Sequence, residues 1–193
     1  MAGARATRVL IAEDETIIRL DLRMQLEQLG YDVCGEARTG NEAVELAREL
    51  EPDVAILDVK MPDGDGIEAS RRMLADHSIP ILLLTAYSDP ELVGRATRAG
   101  ISAYLVKPFQ TSDLLPAIET AIARHAELVE LRGQATGLAE ALAARKSIER
   151  AKGLLMEHEG LTEADAFARL RTASQRNGQP MKTIADAIVA TFS

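Results

Sequence analysis

The chain has 193 residues, a net charge of −8, 47% hydrophobic and 3% aromatic residues, and a single cysteine, Cys34. That length can bury one full core plus a smaller one, and a lone cysteine excludes an intrachain disulfide. No apolar run approaches the ~18 residues of a membrane span, and the opening MAGARATR leads straight into a strand-like run, so neither a span nor a signal peptide is expected and the expectation is a soluble cytoplasmic protein.

In chain order, apolar strand-like runs occur near residues 8–12, 32–36, 53–58, 80–84 and 102–106. Between them lie amphipathic segments such as Ile18, Leu22, Leu26, Leu29 and Ala43, Val44, Ala47, Leu50, at helical spacing. Strand alternating with helix predicts an α/β, flavodoxin-like doubly wound fold with a five-stranded parallel sheet in the order 2-1-3-4-5. Its switch point sets the first and third strands side by side and collects their carboxyl ends on one rim. Those ends are unusually polar: the first strand runs into Glu13, Asp14 and Glu15, the third stops on Asp58, the fourth on Thr85, and the fifth on Lys107 before Pro108.

One Asp at a strand end usually does no more than terminate the strand. Several carboxylates on one rim are different, because two unit charges about 4 Å apart repel by roughly 4 kcal/mol at an effective dielectric near 20. Glu13, Asp14 and Asp58 therefore call for a cation, and hard oxygen ligands suit Mg²⁺. Other motifs are weaker. Asp63-Gly64-Asp65-Gly66 lacks the remaining ligands of a calcium loop and reads as a turn with an Asp cap; His77, His125 and His158 have no metal-ligand spacing and read as surface or packing residues. Cys34 sits in a strand-like run as a packing residue. The absence of a glycine-rich phosphate loop and of a nucleophile-elbow serine leaves an ordinary kinase or hydrolase unsupported.

After Ser112 no further strand is predicted, and a helix beginning DLLPAIETAIARH continues toward residue 157. Leu128, Leu131, Ala135, Leu138 and Leu142 recur at steps of three and four, the spacing of a coiled-coil seam. The stripe then moves by one place to Ile148, Ala151 and Leu155, which predicts a register break near 142–145, and Gly133 and Gly137 predict a short, hinged seam. Thr162 and Asp165 form a capping box for a second helix carrying Ala166, Phe167, Leu170 and Ala173; Asn177-Gly178 ends it, and Pro180 opens a third helix with Met181, Ile184, Ala185, Ile188 and Phe192 on one face. Three short helices make a marginal core, so dimerisation through the seam is expected. Residues 146–193 hold seven Lys/Arg against six Asp/Glu, so the acidic excess lies in the first part of the chain. Lys146, Arg150, Lys152, Arg171, Arg176 and Lys182, with Arg169, are the candidates for phosphate contacts.

The run ILDVKMPDGDG at 56–66, together with the four polar strand ends, resembles the bacterial response-regulator receiver domain over the first ~120 residues. The resemblance implies that Asp58 accepts a phosphoryl group from a histidine kinase, that Glu13, Asp14, Asp58 and the backbone carbonyl of Lys60 surround Mg²⁺, that Lys107 pairs with the phosphoryl oxygens, and that Thr85 and Tyr104 form the switch. It also implies self-modification through an aspartyl phosphate, not turnover of a separate substrate. Glu13 stands where Asp is commoner, which lengthens one metal arm; Lys60 and Tyr87, each two residues past a site residue, are bulky enough to shield an acyl phosphate from water. RKSIERAKGLLM at 145–156, GLTEADAFARLR at 160–171 and TIADAIV at 183–189 resemble the ANTAR output domain, with the small residues Ala151 and Gly153 read as helix-packing positions. The whole chain is similar to PdtaR-type regulators of two-component systems, which implies binding to hairpins in nascent RNA and antitermination. The expected organisation is a receiver over 1–124, a linker helix and coiled coil over 125–145, and a three-helix output domain over 146–193. A DNA-binding regulator and a protein-docking relay without nucleic acid stay open as alternatives; TIADAIV offers few donors for base edges.

Overall fold

The structure, a computed structural model, describes residues 5–62, 64–86, 90–101 and 103–192. Strands β1 (Arg8–Ala12), β2 (Asp32–Ala37) and β3 (Val54–Asp58) alternate with helices α1 (Thr16–Gln28) and α2 (Gly40–Leu50). The two-residue strands β4 (Lys60–Met61) and β5 (Gly64–Asp65) follow, then α3 (Gly66–Asp76), β6 (Ile81–Thr85), α4 (Pro90–Arg98) and β7 (Ala103–Val106). All five residues of β3 and of β6 are buried, which is why these strands read as continuous apolar runs and not as alternating ones. The parallel sheet has the order β2-β1-β3-β6-β7, the predicted order counted over its five strands. Helices cover both faces: Leu10, Ala12, Leu57 and Leu83 point to one core with Val44, Ala47 and Met73, while Val9, Ile11, Ile56 and Leu82 point to the other with Leu22, Leu26, Leu114 and Ile118.

The small antiparallel hairpin β4–β5, pairing Lys60 with Asp65 and Met61 with Gly64, was not anticipated. Two residues per strand are too few to leave a periodicity in the sequence. The expected Asp cap is present, since the Asp65 carboxylate accepts from the Ile67 amide at 2.9 Å and starts α3. Asp63 lies outside the described residues.

The chain divides into two compact units, Met1–Glu130 and Leu131–Ser193. Helix α5 (Thr111–Glu159) runs unbroken for 49 residues, through the expected shift of its apolar stripe near 142–145, and the hinge expected from Gly133 and Gly137 does not occur. The shift in the apolar stripe changes which face is sticky, not the backbone, and two exposed glycines at about 1 kcal/mol each do not interrupt so long a helix. In the second unit, the end of α5 packs with α6 (Glu163–Asn177) and α7 (Met181–Phe192). Thr162 caps α6 by accepting from the Asp165 amide at 3.2 Å, and Gly178 ends it in the left-handed conformation at φ 61°. The fully buried core is Ala151, Leu155, Ala166, Leu170 and Ala185, with Ile148, Met181, Ile184 and Ile188 half-buried around it. Phe167, expected inside, is 43% exposed, because Ala166 and Leu170 alone face the alanine-lined seam that close helix approach leaves.

Candidate functional site

Parallel pairing of β1 with β3, Ala12 opposite Leu57, sets Glu13 and Asp14 beside Asp58. One carboxylate oxygen from each of the three lies within 4.8 Å of the others. Lys107, just past β7, reaches across the rim: its Nζ donates to Glu13 Oε2 at 2.6 Å and sits 2.8 Å from Asp58 Oδ1. Burial pushes the Glu13 carboxyl above its usual range, against the pull of the Lys107 hydrogen bond. Burial also works against the Lys107 charge, but the hydrogen bonds and charges of Asp58 and Glu13 outweigh it and raise its pKa. One ammonium offsets three carboxylates only in part, and an all-oxygen donor set with residual negative charge fits a hard divalent cation such as Mg²⁺. Glu13, Asp14 and Asp58 would hold it. The Lys60 amide donates to Asp58 Oδ2 at 3.2 Å, which keeps Lys60 against the cluster, while the role of its carbonyl stands on the resemblance alone.

Thr85 ends β6 as a buried residue, and its carbonyl accepts from the Lys107 amide at 2.7 Å, so the hydroxyl residue and the lysine share one backbone link. Tyr104 is 47% exposed and directed away from the core. Tyr87 lies outside the described residues.

Two contributors to the site are not evident from strand ends. Gly66 begins α3 directly against the end of β3: a Cβ there would lie 2.0 Å from the Asp58 carbonyl oxygen, so glycine alone fits. Arg19 is buried on the inner face of α1, donates to the Glu13 carbonyl at 2.6 Å and is held from behind by Glu36 at 3.2 Å. It fixes the turn from which Glu13 and Asp14 project. The signal for it was an arginine three residues before Leu22 and seven before Leu26, on the face the apolar spacing assigns to the core.

In the second unit the seven candidate cations separate. Lys152 is buried, donating to Glu149 at 3.0 Å and to Glu163 at 2.7 Å; it ties α5 to the start of α6 and is not available to a phosphate, which corrects its assignment. Lys182 pairs with Asp186 at 2.9 Å, and Arg169 pairs with Glu159. Lys146, Arg150, Arg171 and Arg176 have no ion pair among the described residues. Ala151 is fully buried, as a packing residue should be, whereas Gly153 is exposed with open space around it, so its reading as a packing position is corrected. His125 is buried with Nε2 3.1 Å from Ser78 Oγ, and His158 stacks on Phe192 at 4.7 Å, so both are packing residues.

A family model of the response regulator receiver domain matches residues 9–119, and one of the ANTAR domain matches residues 136–189. The chain therefore belongs to the two-component response regulators, with a receiver domain followed by an RNA-binding output domain of the ANTAR family. The transcriptional regulatory protein PdtaR of Mycobacterium tuberculosis H37Rv is 50% identical over 185 residues, covering 96% of this chain and 90% of that one. The chemotaxis protein CheY of Thermotoga maritima is 38% identical over 112 residues, covering 58% of this chain and 93% of its own. Among solved structures, the receiver domain of a modulated diguanylate cyclase from Desulfovibrio desulfuricans G20 superposes with a TM-score of 0.59 at 39% identity, over 63% of this chain and 98% of that one. No helix among the described residues is long and apolar enough to cross a membrane.

Proposed function

We propose that this regulator is a phosphorylation-activated antiterminator. Asp58 takes the phosphoryl group from the phosphohistidine of a sensor kinase, and the phosphorylated protein binds paired hairpins in nascent RNA so that a terminator does not form. The observation that carries the first half is the convergence of Asp58, Glu13, Asp14 and Lys107 on one rim. A carboxylate is a weak nucleophile toward phosphorus unless charge on the transferring oxygens is neutralised. Lys107 stands 2.8 Å from the attacking carboxylate and can follow those oxygens as the phosphorus–nitrogen bond of the donor gives way to a phosphorus–oxygen bond. Mg²⁺, when bound, supplies the remaining neutralisation. Thr85, linked to Lys107 through the backbone, reads the new oxygens with its hydroxyl in this scheme, and Tyr104 is the aromatic that follows it inward. Reaction is confined to the protein's own aspartyl phosphate, and the bulk of Lys60 and Tyr87 slows its hydrolysis; loss of the label within seconds in Mg²⁺ buffer would remove this part of the reading.

The ANTAR match supports RNA as the output ligand, and the exposed Leu131, Leu138 and Leu142 on α5 support pairing with a second copy, which would give two weak RNA sites avidity. Fluorescence anisotropy of a labelled two-hairpin RNA tests the whole reading, using wild type and Asp58→Asn with Mg²⁺ and a small phosphodonor. Binding by the phosphorylated wild type alone is expected. Equal binding by both removes Asp58 from control, and binding by neither leaves a protein-docking relay.

A further inference from the structure

Ion pairing within the second unit narrows its basic surface. Lys152, Arg169 and Lys182 are each engaged by a carboxylate, which leaves Arg132, Arg145, Lys146 and Arg150 on α5 and Arg171 and Arg176 on α6 without an ion pair among the described residues; Arg145, next to Lys146 in sequence, projects about 100° away from it. Five residues on a helix turn by about 140°, so Arg171 and Arg176 leave α6 on different sides. Lys146 and Arg150 are four apart and form one stripe, and Gly153, three further on, continues it. Ile148, Ala151 and Leu155, which meet α6 and α7, occupy the opposite side of α5, so this stripe faces outward.

Gly153 has no explanation inside the chain. It is helical, it is not among the glycines with positive φ, and a Cβ built on it meets nothing within 4 Å. Glycine in a helix interior is disfavoured against alanine, so neither backbone nor packing asks for it here. Gly66 shows the contrast, since there the internal contact is plain; Gly133 and Gly137 on α5 are as bare as Gly153, and what distinguishes Gly153 is the pair of cations that precedes it on one stripe. The remaining physical use of a bare helical position is close approach by another molecule, and two unpaired cations one and two turns before it select a polyanion. Glu157, one turn beyond Gly153 on the same stripe, bounds the surface by repelling phosphates.

We propose that the outward face of α5 formed by Lys146, Arg150 and Gly153 is where the RNA backbone lies, with the two cations on phosphates and the glycine admitting the sugar–phosphate strand against the helix. This rests on the RNA reading given above and assigns its surface. The test uses the full chain with Mg²⁺ and phosphodonor, the same labelled two-hairpin RNA and a salt titration. The pair Lys146→Ala/Arg150→Ala should weaken binding about tenfold or more and flatten the slope of log K against log salt by about 1 per residue. Gly153→Ala should raise the unfolding temperature of the C-terminal helices by about 4–8 °C while weakening RNA binding, and Gly153→Gln should weaken it further. A stabilised protein that binds RNA less well is an outcome a merely structural glycine does not produce. Unchanged affinity in Gly153→Gln, or a loss confined to Arg171→Ala/Arg176→Ala, overturns the assignment while leaving the RNA reading intact. A fall in RNA binding that follows a fall in mass by light scattering gives the face to a second copy of the chain and overturns it too. Failure of the wild type to bind RNA removes the underlying reading, whatever the variants do.

Discussion

Gly66 and Arg19 act on the carboxylate cluster through backbone atoms, which makes each sensitive to a different kind of change. Gly66→Ala forces a Cβ into the Asp58 carbonyl, and overpacking of this kind destabilises by about 1–3 kcal/mol. The shift falls on the strand end that carries Asp58, so phosphoryl uptake from a small donor should drop along with the unfolding temperature. Arg19→Ala leaves the Glu13 carbonyl and Glu36 without their cation, a loss of about 1–3 kcal/mol. Mg²⁺ affinity measured by calorimetry should fall more in Arg19→Ala than in Arg19→Lys, and equal affinity in both variants and wild type would remove the positioning role. At Asp53 the sign of a pH effect can be worked out. The Arg8 amide and then the Arg5 guanidinium hold its carboxyl below the usual value of 3.8. A depressed folded-state pKa gives stability that is present above the unfolded value and lost as pH falls through the folded one. The unfolding temperature of Asp53→Asn should therefore lie below wild type near neutrality, and the gap should close as pH falls below about 4.

At the scale of elements, α1 carries an apolar stripe that the core does not use. Ile17, 83% exposed, is followed by Leu20 and Met24 at steps of three and four, starting three residues after Asp14. A stripe so close to the rim fits the donor's docking surface. Ile17→Asp should slow phosphotransfer from the cognate kinase and leave uptake from a small phosphodonor unchanged; equal slowing with both donors would place Ile17 in the site itself. The elements also show what periodicity can and cannot reveal. The strands at the centre of the sheet and the caps at Thr162 and Gly178 were legible because burial on both sheet faces and turn chemistry leave marks several residues long. Strand ends gave Glu13, Asp14, Asp58, Thr85 and Lys107 for the same reason. The β4–β5 hairpin is too short to leave one, and the hinge expected at Gly133 and Gly137 fails because two glycines cost too little to interrupt so long a helix. Lys152 was misassigned because charge pairing across α5 and α6 depends on distances that no spacing along one helix encodes.

Across the whole molecule the two units differ in what fills them. Eight of the 26 buried core residues of the sheet unit are alanine and most of the rest are leucine, isoleucine and valine, whereas three of the five of the helical unit are alanine. Alanine allows close helix approach but removes little apolar area from water, so each remaining large side chain matters more. Leu155→Ala should cost about 2–5 kcal/mol, enough to unfold the helical unit while the sheet unit keeps its circular dichroism signal. Sequence showed this composition, but not that Phe167 would stay outside the alanine seam and contribute little to it.

An alanine-rich core has a further consequence in the time domain. Amide protons of α6 and α7 should exchange with solvent well before those of β1 and β3, because a small core opens more often than a large one. Any ligand that binds only the closed helices then suppresses that opening by mass action, by about 2.7 kcal/mol at a hundred times its dissociation constant. RNA would in that case do more than occupy the output unit. It would hold it folded, and protection of α6 and α7 amides would report the ligand without any label on it.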